Sequence, residues 1–178
     1  MNYFQNYYNN IVKYDLINKF QYRTINKLPK ISKVILSFNY KKPNFKQLIS
    51  SLIALELLSE QKPIFTKSNV PIVTLKIRKG QPVGCKLTLR KHNLDIFLNK
   101  LLFEIFCDPK LINSYKNIKK KVFLPIFTIK LKNNLNFSIL ENHYQIFKHL
   151  SNLNIVIVTD STNFSEFIFL LKSYKFLK

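Results

Sequence analysis

The sequence predicts an α+β fold: one antiparallel sheet with helices packed on one face and a polar, cationic face left open. Strand-like and helix-like stretches are interspersed along 178 residues. Several of the strands alternate apolar with polar or basic side chains. The 29 Lys and Arg outnumber the 9 Asp and Glu, giving a net charge of +20. A chain of this length supports one hydrophobic core, so 1–178 is read as a single domain.

Phe4, Tyr7, Tyr8 and Ile11 follow helical spacing and predict an amphipathic helix within about residues 2–20. Lys30–Asn39 reads as a strand, with Val34, Leu36 and Phe38 on one face and Lys33, Ser37 and Asn39 on the other; Ile35 is the apolar exception. Pro43 suits the start of a second helix, whose stripe of Phe45, Leu48, Ile49, Leu52 and Ile53 runs to about Leu58. Short strands come next. They are Lys62–Lys67, then Val73, Leu75 and Ile77 alternating with Thr74, Lys76 and Arg78, then Cys85, Leu87 and Leu89 alternating with Lys86, Thr88 and Arg90. Leu94, Phe97, Leu98, Leu101 and Ile105 mark a helix that ends before Pro109. Asp108 to about Asn136 is basic and poorly periodic, and no element is assigned there. A strand over Leu153–Asp160 leads into a closing helix, capped by Thr162 or Asn163, with Phe164, Phe167, Ile168 and Leu171 as its buried stripe.

The charge says what kind of partner to expect. Solubility needs a net charge of only about 2 to 8 in a small domain. An excess of +20 repels itself unless a polyanion neutralises it, so nucleic acid is expected. No apolar stretch approaches the roughly 18 residues that span a bilayer, and no membrane association is expected. With 47% hydrophobic residues the chain can fold without help.

The raw materials of catalysis are thin. No two of the nine acids are spaced for a shared metal or an acid/base couple. Cys85 and Cys107 form no CxxC pair and do not combine with His92, His143 and His149 at zinc-ligand spacing, so both read as reduced core thiols. The two glycines, Gly80 and Gly84, fall in one short segment, which rules out a phosphate-cradling loop. Neither an enzyme nor a cofactor is expected. The opening Met-Asn-Tyr-Phe-Gln-Asn-Tyr-Tyr resembles no signal or transit peptide. Lys, Asn, Ile, Phe and Tyr abound while arginine is confined to Arg23, Arg78 and Arg90, a usage that matches A- and U-rich codons. An AT-biased organellar genome is inferred, with the mitochondrial matrix preferred to a plastid.

Gln61–Lys67 and Ile77–Arg90 carry the chemistry. From Glu60 to Lys91 basic side chains outnumber acids, and alternation places them on one side of the strands, where they can track phosphates. Gly80 and Gly84 mark a tight turn and a bulge. No aromatic run of the kind that stacks single-strand bases occurs, so Lys, Thr, Ser and Asn on this face suit phosphates and 2′-hydroxyls of folded RNA.

Pro29–Leu36, Ser59–Lys67 and Ile77–Arg90, above all Gln61-Lys62-Pro63 and Gly84-Cys85-Lys86-x-Thr88-Leu89-Arg90, resemble the family of the large-subunit ribosomal protein numbered five. The pattern of Leu153–Thr159, the closing helix and Tyr174–Lys178 agrees. The resemblance implies a ribosomal scaffold whose sheet face holds 5S rRNA and large-subunit rRNA in the central protuberance, beside neighbouring ribosomal proteins, while a loop reaches the elbow of P-site tRNA. It implies rRNA contacts at Lys33, Ser37, Asn39, Gln61, Lys62, Thr66, Lys67, Lys86, Thr88 and Arg90. The tRNA-facing loop would span about Ser68–Arg78, with Asn69, Val70, Pro71, Thr74, Lys76 and Arg78. Where the family reads Leu-Asn-Met-Gly this chain has Leu36-Ser37-Phe38-Asn39, so a shorter serine replaces an expected asparagine. The alternative is a free-standing organellar RNA-binding factor for maturation or splicing.

Overall fold

A computed structural model describes residues 3–41, 44–106, 121–132 and 134–177, and for 121–123 the backbone alone. Pro43, Cys107 and, of the unassigned 108–136 stretch, residues 108–120 and 133 lie outside the described residues. Helix α1 (Tyr3–Tyr7) continues through a π-helical turn, Tyr8–Val12, into α2 (Lys13–Phe20). Strand β1 (Ile31–Asn39) is next, then α3 (Phe45–Ser59), β2 (Ile64–Lys67), β3 (Pro82–Leu89) and α4 (Lys91–Lys100), which runs on as a second π-helical segment, Leu101–Phe106. The remainder is β4 (Lys121–Phe123), β5 (Ile126–Leu131), two single-turn helices α5 (Ser138–Glu141) and α6 (Tyr144–Phe147), β6 (Leu153–Thr159) and α7 (Phe164–Ser173).

The six strands form one sheet in the order β2-β3-β1-β6-β5-β4, antiparallel at every pairing. Alternation sets its faces. Val34, Leu36 and Phe38 of β1, Cys85, Leu87 and Leu89 of β3, Phe127, Ile129 and Leu131 of β5, and Leu153, Ile155 and Ile157 of β6 share one buried cluster with side chains from the helices. The α+β fold with helices on one face is thus the observed one. At the centre Cys85 is buried, and burial pushes its thiol pKa up, partly offset by the Ser51 hydroxyl 3.2 Å away.

The strands over Ile31–Asn39, Pro82–Leu89 and Leu153–Thr159 fall where alternation put them, and Leu94, Phe97, Leu98, Leu101 and Ile105 are all buried as expected. Four expectations are corrected. In the N-terminal helix Phe4 is buried, but Tyr7 and Ile11 are exposed and Val12 and Leu16 point inward instead. The π-helical turn widens the helix and rotates the residues C-terminal to it by a fraction of a turn. In α3, Phe45 (77% exposed), Ile49 and Ile53 face outward, while Leu48, Ser51, Ala54, Leu55, Leu58 and Ser59 are buried. Small residues let this helix approach the sheet closely. The serines tolerate burial because each donates back along the helix, Ser51 to the Leu48 carbonyl at 2.8 Å and Ser59 to the Leu55 carbonyl at 2.6 Å. Asn44 caps α3 through a capping box with Gln47, so the helix starts at Phe45. In α7, Phe167 and Leu171 are buried and Phe164 is exposed; Asn163 is the N-cap residue, and its side-chain amide donates to the Glu166 carboxylate at 2.8 Å.

The fourth correction concerns Val73–Arg78, which forms no strand. Val73–Leu75 is a single 3-10 turn, Lys76 is left-handed at φ 56°, and one pair of backbone bonds joins Ile72 and Ile77. Pro71 and the left-handed Lys76 interrupt the extended backbone that a ladder needs.

Candidate nucleic-acid interface

The second face of the sheet carries half-buried and exposed side chains, and strand register arranges them in rows. The longest row crosses five strands: Ile64, Lys86, Ser37, Asn154 and Lys130. Three strand spacings separate Lys86 from Lys130, about 14 Å, with the hydroxyl of Ser37 and the amide of Asn154 between them. A shorter row joins Thr66, Gly84 and Asn39. On the other side of the long row come Thr88, Ile35, Val156 and Thr128, then Lys33, Val158 and Ile126. The face is therefore divided. The row from Lys86 to Lys130 is polar and cationic, with Ile64 at its β2 edge, and beside it Ile35, Val156, Val158 and Ile126 form an apolar band.

Gly84 holds the polar end together. A Cβ there would run into the backbone carbonyl oxygen of Phe38 and would meet Asn39 Oδ1 and Thr66 Oγ1, each 3.1 Å away. Only glycine lets β2, β3 and β1 keep their register at this point. One residue further on, between Thr66 and Lys67, the β2–β3 pairing shifts by a bulge. The Thr66 hydroxyl is buried and has no hydrogen-bond partner among the described residues. A buried hydroxyl without a partner costs free energy.

Of the expected contact residues, Lys33, Ser37, Thr66 and Thr88 are half-buried on this face, with Lys86 exposed among them and Asn39 exposed at the end of β1. Arg90 is exposed beyond the end of β3, where it is the N-cap residue of α4. Lys67 is exposed beside the bulge. Gln61 and Lys62 are not in the rows: they sit in the exposed turn between left-handed Glu60 (φ 57°) and β2. Asn154, Lys130 and Thr128 belong to the face and were not singled out from the sequence. Asn154 was legible, since it alternates with Leu153 and Ile155 in a strand already assigned. Lys130 and Thr128 needed the alternation of Phe127, Ile129 and Leu131, inside the stretch left without elements.

The excursion from β2 to β3 is a closed loop. Ser68 N–H donates to the Gln81 carbonyl at 2.9 Å and Gly80 N–H to the Ser68 carbonyl at 2.8 Å, with Gly80 at φ 83°. Asn69, Val70, Pro71, Thr74, Lys76 and Arg78 lie on this loop, with Val70 67% exposed. The Ile72–Ile77 bridge closes a tip of four residues in which Val73 is 89% exposed and Lys76 is exposed too, while Arg78 stands toward the base. Gly80 lies in the loop's closing turn, and Gly84 is a close approach to β1 beside the bulge at Thr66 and Lys67.

Among the described residues no group of three His, Cys, Asp or Glu gathers to hold a metal ion, and no helix is long and apolar enough to cross a membrane. Lys100 and Glu60, 3.3 Å apart, make the one ion pair found among them, which leaves the +20 excess to an outside counter-charge. Fold and charge together define a small basic α+β protein built on one antiparallel sheet.

No protein-family model matches the chain. It is nevertheless 35% identical to the large ribosomal subunit protein uL5m of Reclinomonas americana, over 98% of this chain and 97% of that one. It is 31% identical to large ribosomal subunit protein uL5 of Blochmanniella floridana, over 97% and 90% of the two chains, and 33% identical to that of Nitrosomonas europaea, over 96% and 94%. The chain belongs to the uL5 family of large ribosomal subunit proteins. With that family it is a structural constituent of the large subunit and not an enzyme.

Proposed function

We propose that the protein anchors RNA in the central protuberance of a mitochondrial large subunit. The polar sheet face binds 5S rRNA and large-subunit rRNA, and the Ser68–Gln81 loop reaches P-site tRNA. The five-strand row from Ile64 to Lys130 carries this reading, because it sets two lysines about 14 Å apart on a flat surface with neutral donors and acceptors between them. The lysines neutralise phosphates, and Ser37, Asn154 and Thr88 offer hydrogen bonds to 2′-hydroxyls. Lys76 and Arg78, on the loop, supply its charge-assisted contacts to tRNA phosphates. The mitochondrial matrix is supported by the uL5m relative and by an amino-acid usage that matches A- and U-rich codons, and neighbouring ribosomal proteins complete the surroundings.

The test is the triple variant Lys86→Ala, Thr88→Ala, Arg90→Ala. Its apolar face is untouched, so it should fold, yet leave the large-subunit peak when mitochondrial extracts are sedimented. Incorporation equal to the parent's would show that another surface holds the rRNA. For the loop, replacing Ser68–Leu75 by a tight turn should preserve incorporation and speed P-site tRNA release. An unchanged tRNA off-rate and elbow footprint would remove the loop from the proposal.

A further inference from the structure

Away from the sheet's open face, the N-terminal helix, the start of β1 and the first turns of α4 enclose a cleft of about 350 Å³. That size falls within the range of about 300–1,000 Å³ typical of small-ligand sites. Part of its wall is aromatic: the rings of Phe4 and Tyr174 stack with centroids 4.3 Å apart. Polar groups converge on it. Tyr8 donates its hydroxyl to the Pro29 carbonyl at 3.1 Å, and Asp95 enters from α4. Tyr174 is 4% exposed, and burial pushes its phenol pKa far up, so the hydroxyl keeps its proton and stays a donor. Tyr174 and Asp95 both line the cleft.

Two cations, Lys30 and Lys91, line the same cleft and are exposed to solvent. Lys91 is held at φ 51°, a left-handed conformation uncommon for a lysine, where the chain turns from the extended Arg90 into α4. The cleft thus combines apolar walls, one carboxylate, one largely buried hydroxyl and two positive charges in contact with solvent. A nucleotide presents the complementary set: a flat base, polar base edges and an anionic backbone.

We propose that this cleft takes one everted guanine of the large-subunit RNA, an inference that rests on the proposed ribosomal role. A carboxylate has two parallel acceptors and no donor. Guanine alone among the four bases offers two adjacent donors on its Watson–Crick edge, N1–H and the N2 amino group. Adenine and cytosine set a ring acceptor beside their amino group, and uracil flanks its single N–H with carbonyls. Asp95 accepts from N1 and N2, the Tyr174 hydroxyl donates to O6, and Lys30 and Lys91 take the flanking phosphates. Readout of a splayed-out base on its Watson–Crick edge is the usual way sequence is recognised in RNA.

Kethoxal, which adds across N1 and N2 of accessible guanines, reads this contact directly. Large subunits are isolated carrying the parent protein, Asp95→Asn or Tyr174→Phe, and their rRNA is probed. Tyr174→Phe keeps the ring that stacks on Phe4 and loses only the hydroxyl, so it reports even where Asp95→Asn fails to assemble. One guanine should be protected in parent subunits and gain reactivity by at least about fivefold with Asp95→Asn, less with Tyr174→Phe. Identical kethoxal patterns in subunits that contain the protein at full stoichiometry would overturn the inference and leave the ribosomal role standing. Absence of the parent protein from large subunits would overturn both. Guanosine monophosphate binding by the isolated protein, without any newly reactive guanine in variant subunits, would assign the cleft to a free nucleotide and overturn the RNA contact.

Discussion

The two faces of the sheet are built from the same strands and behave differently. On the packed face every position from Val34 to Phe38, from Cys85 to Leu89 and from Leu153 to Ile157 that points inward is apolar and shielded by helices. On the other face the intervening positions are basic, hydroxyl-bearing or amide-bearing along one row and apolar in the band beside it. Stability therefore resides on one side, and the proposed recognition of RNA on the other. A residue's effect should depend on its parity in the strand more than on its place along the chain.

The sharpest way to break that division is to compare neighbours of opposite parity. Phe38→Ala removes a ring that is fully buried and should lower unfolding free energy by about 3–5 kcal/mol in urea titrations. A loss under about 1 kcal/mol would mean that the packed face carries less of the fold than its burial implies. Gly84→Ala tests the polar end of the open face at its one immovable contact. The added methyl meets the Phe38 carbonyl, which cannot swing aside like a side chain, so about 1–3 kcal/mol should be lost. Gly80→Ala, in the loop turn, meets nothing within 4 Å. It should lose only the roughly 1 kcal/mol that a left-handed φ costs a residue with a Cβ. Equal losses at the two glycines would show that conformation and not the Phe38 contact governs Gly84.

Smallest in stability, and most informative on recognition, is Lys86→Ala. Its side chain is exposed, so unfolding free energy should change by less than about 0.5 kcal/mol. Binding to the isolated cognate rRNA fragment should weaken, and the slope of log K against log salt should become shallower by about 0.7 to 0.9, the share of one phosphate. An unchanged slope would remove Lys86 from the phosphate-tracking set.

Much of this arrangement was legible in the order of residues, for a physical reason. A strand's period of two is fixed by backbone geometry, so Val34, Leu36 and Phe38, or Lys86 and Thr88, declare their faces without reference to anything distant. The stripe from Leu94 to Ile105 was equally plain, because that helix buries large side chains at regular spacing. The charge excess declared a polyanionic partner in the same way, since it is a property of composition.

Tertiary structure decided the features that depend on how closely elements approach. Helix α3 turns Ser51, Ala54 and Ser59 inward and leaves Phe45, Ile49 and Ile53 outside, because it lies close enough for the Ser51 hydroxyl to stand 3.2 Å from the Cys85 sulfur. Hydrophobicity ranked those two sides in the opposite order, since it measures transfer from water and not the room available between helix and sheet. The π-helical turn that moved burial from Ile11 to Val12 is likewise a product of packing. β5 is a strand because β6 offers a ladder to join, β4 then adds to β5 at the sheet edge, and the β5–β6 pairing carries Thr128 and Lys130 onto the open face beside residues distant in the chain. Composition and period thus fixed which residues are apolar, which are charged and which alternate, whereas only the assembled sheet could bring Lys86, Ser37, Asn154 and Lys130 into one row.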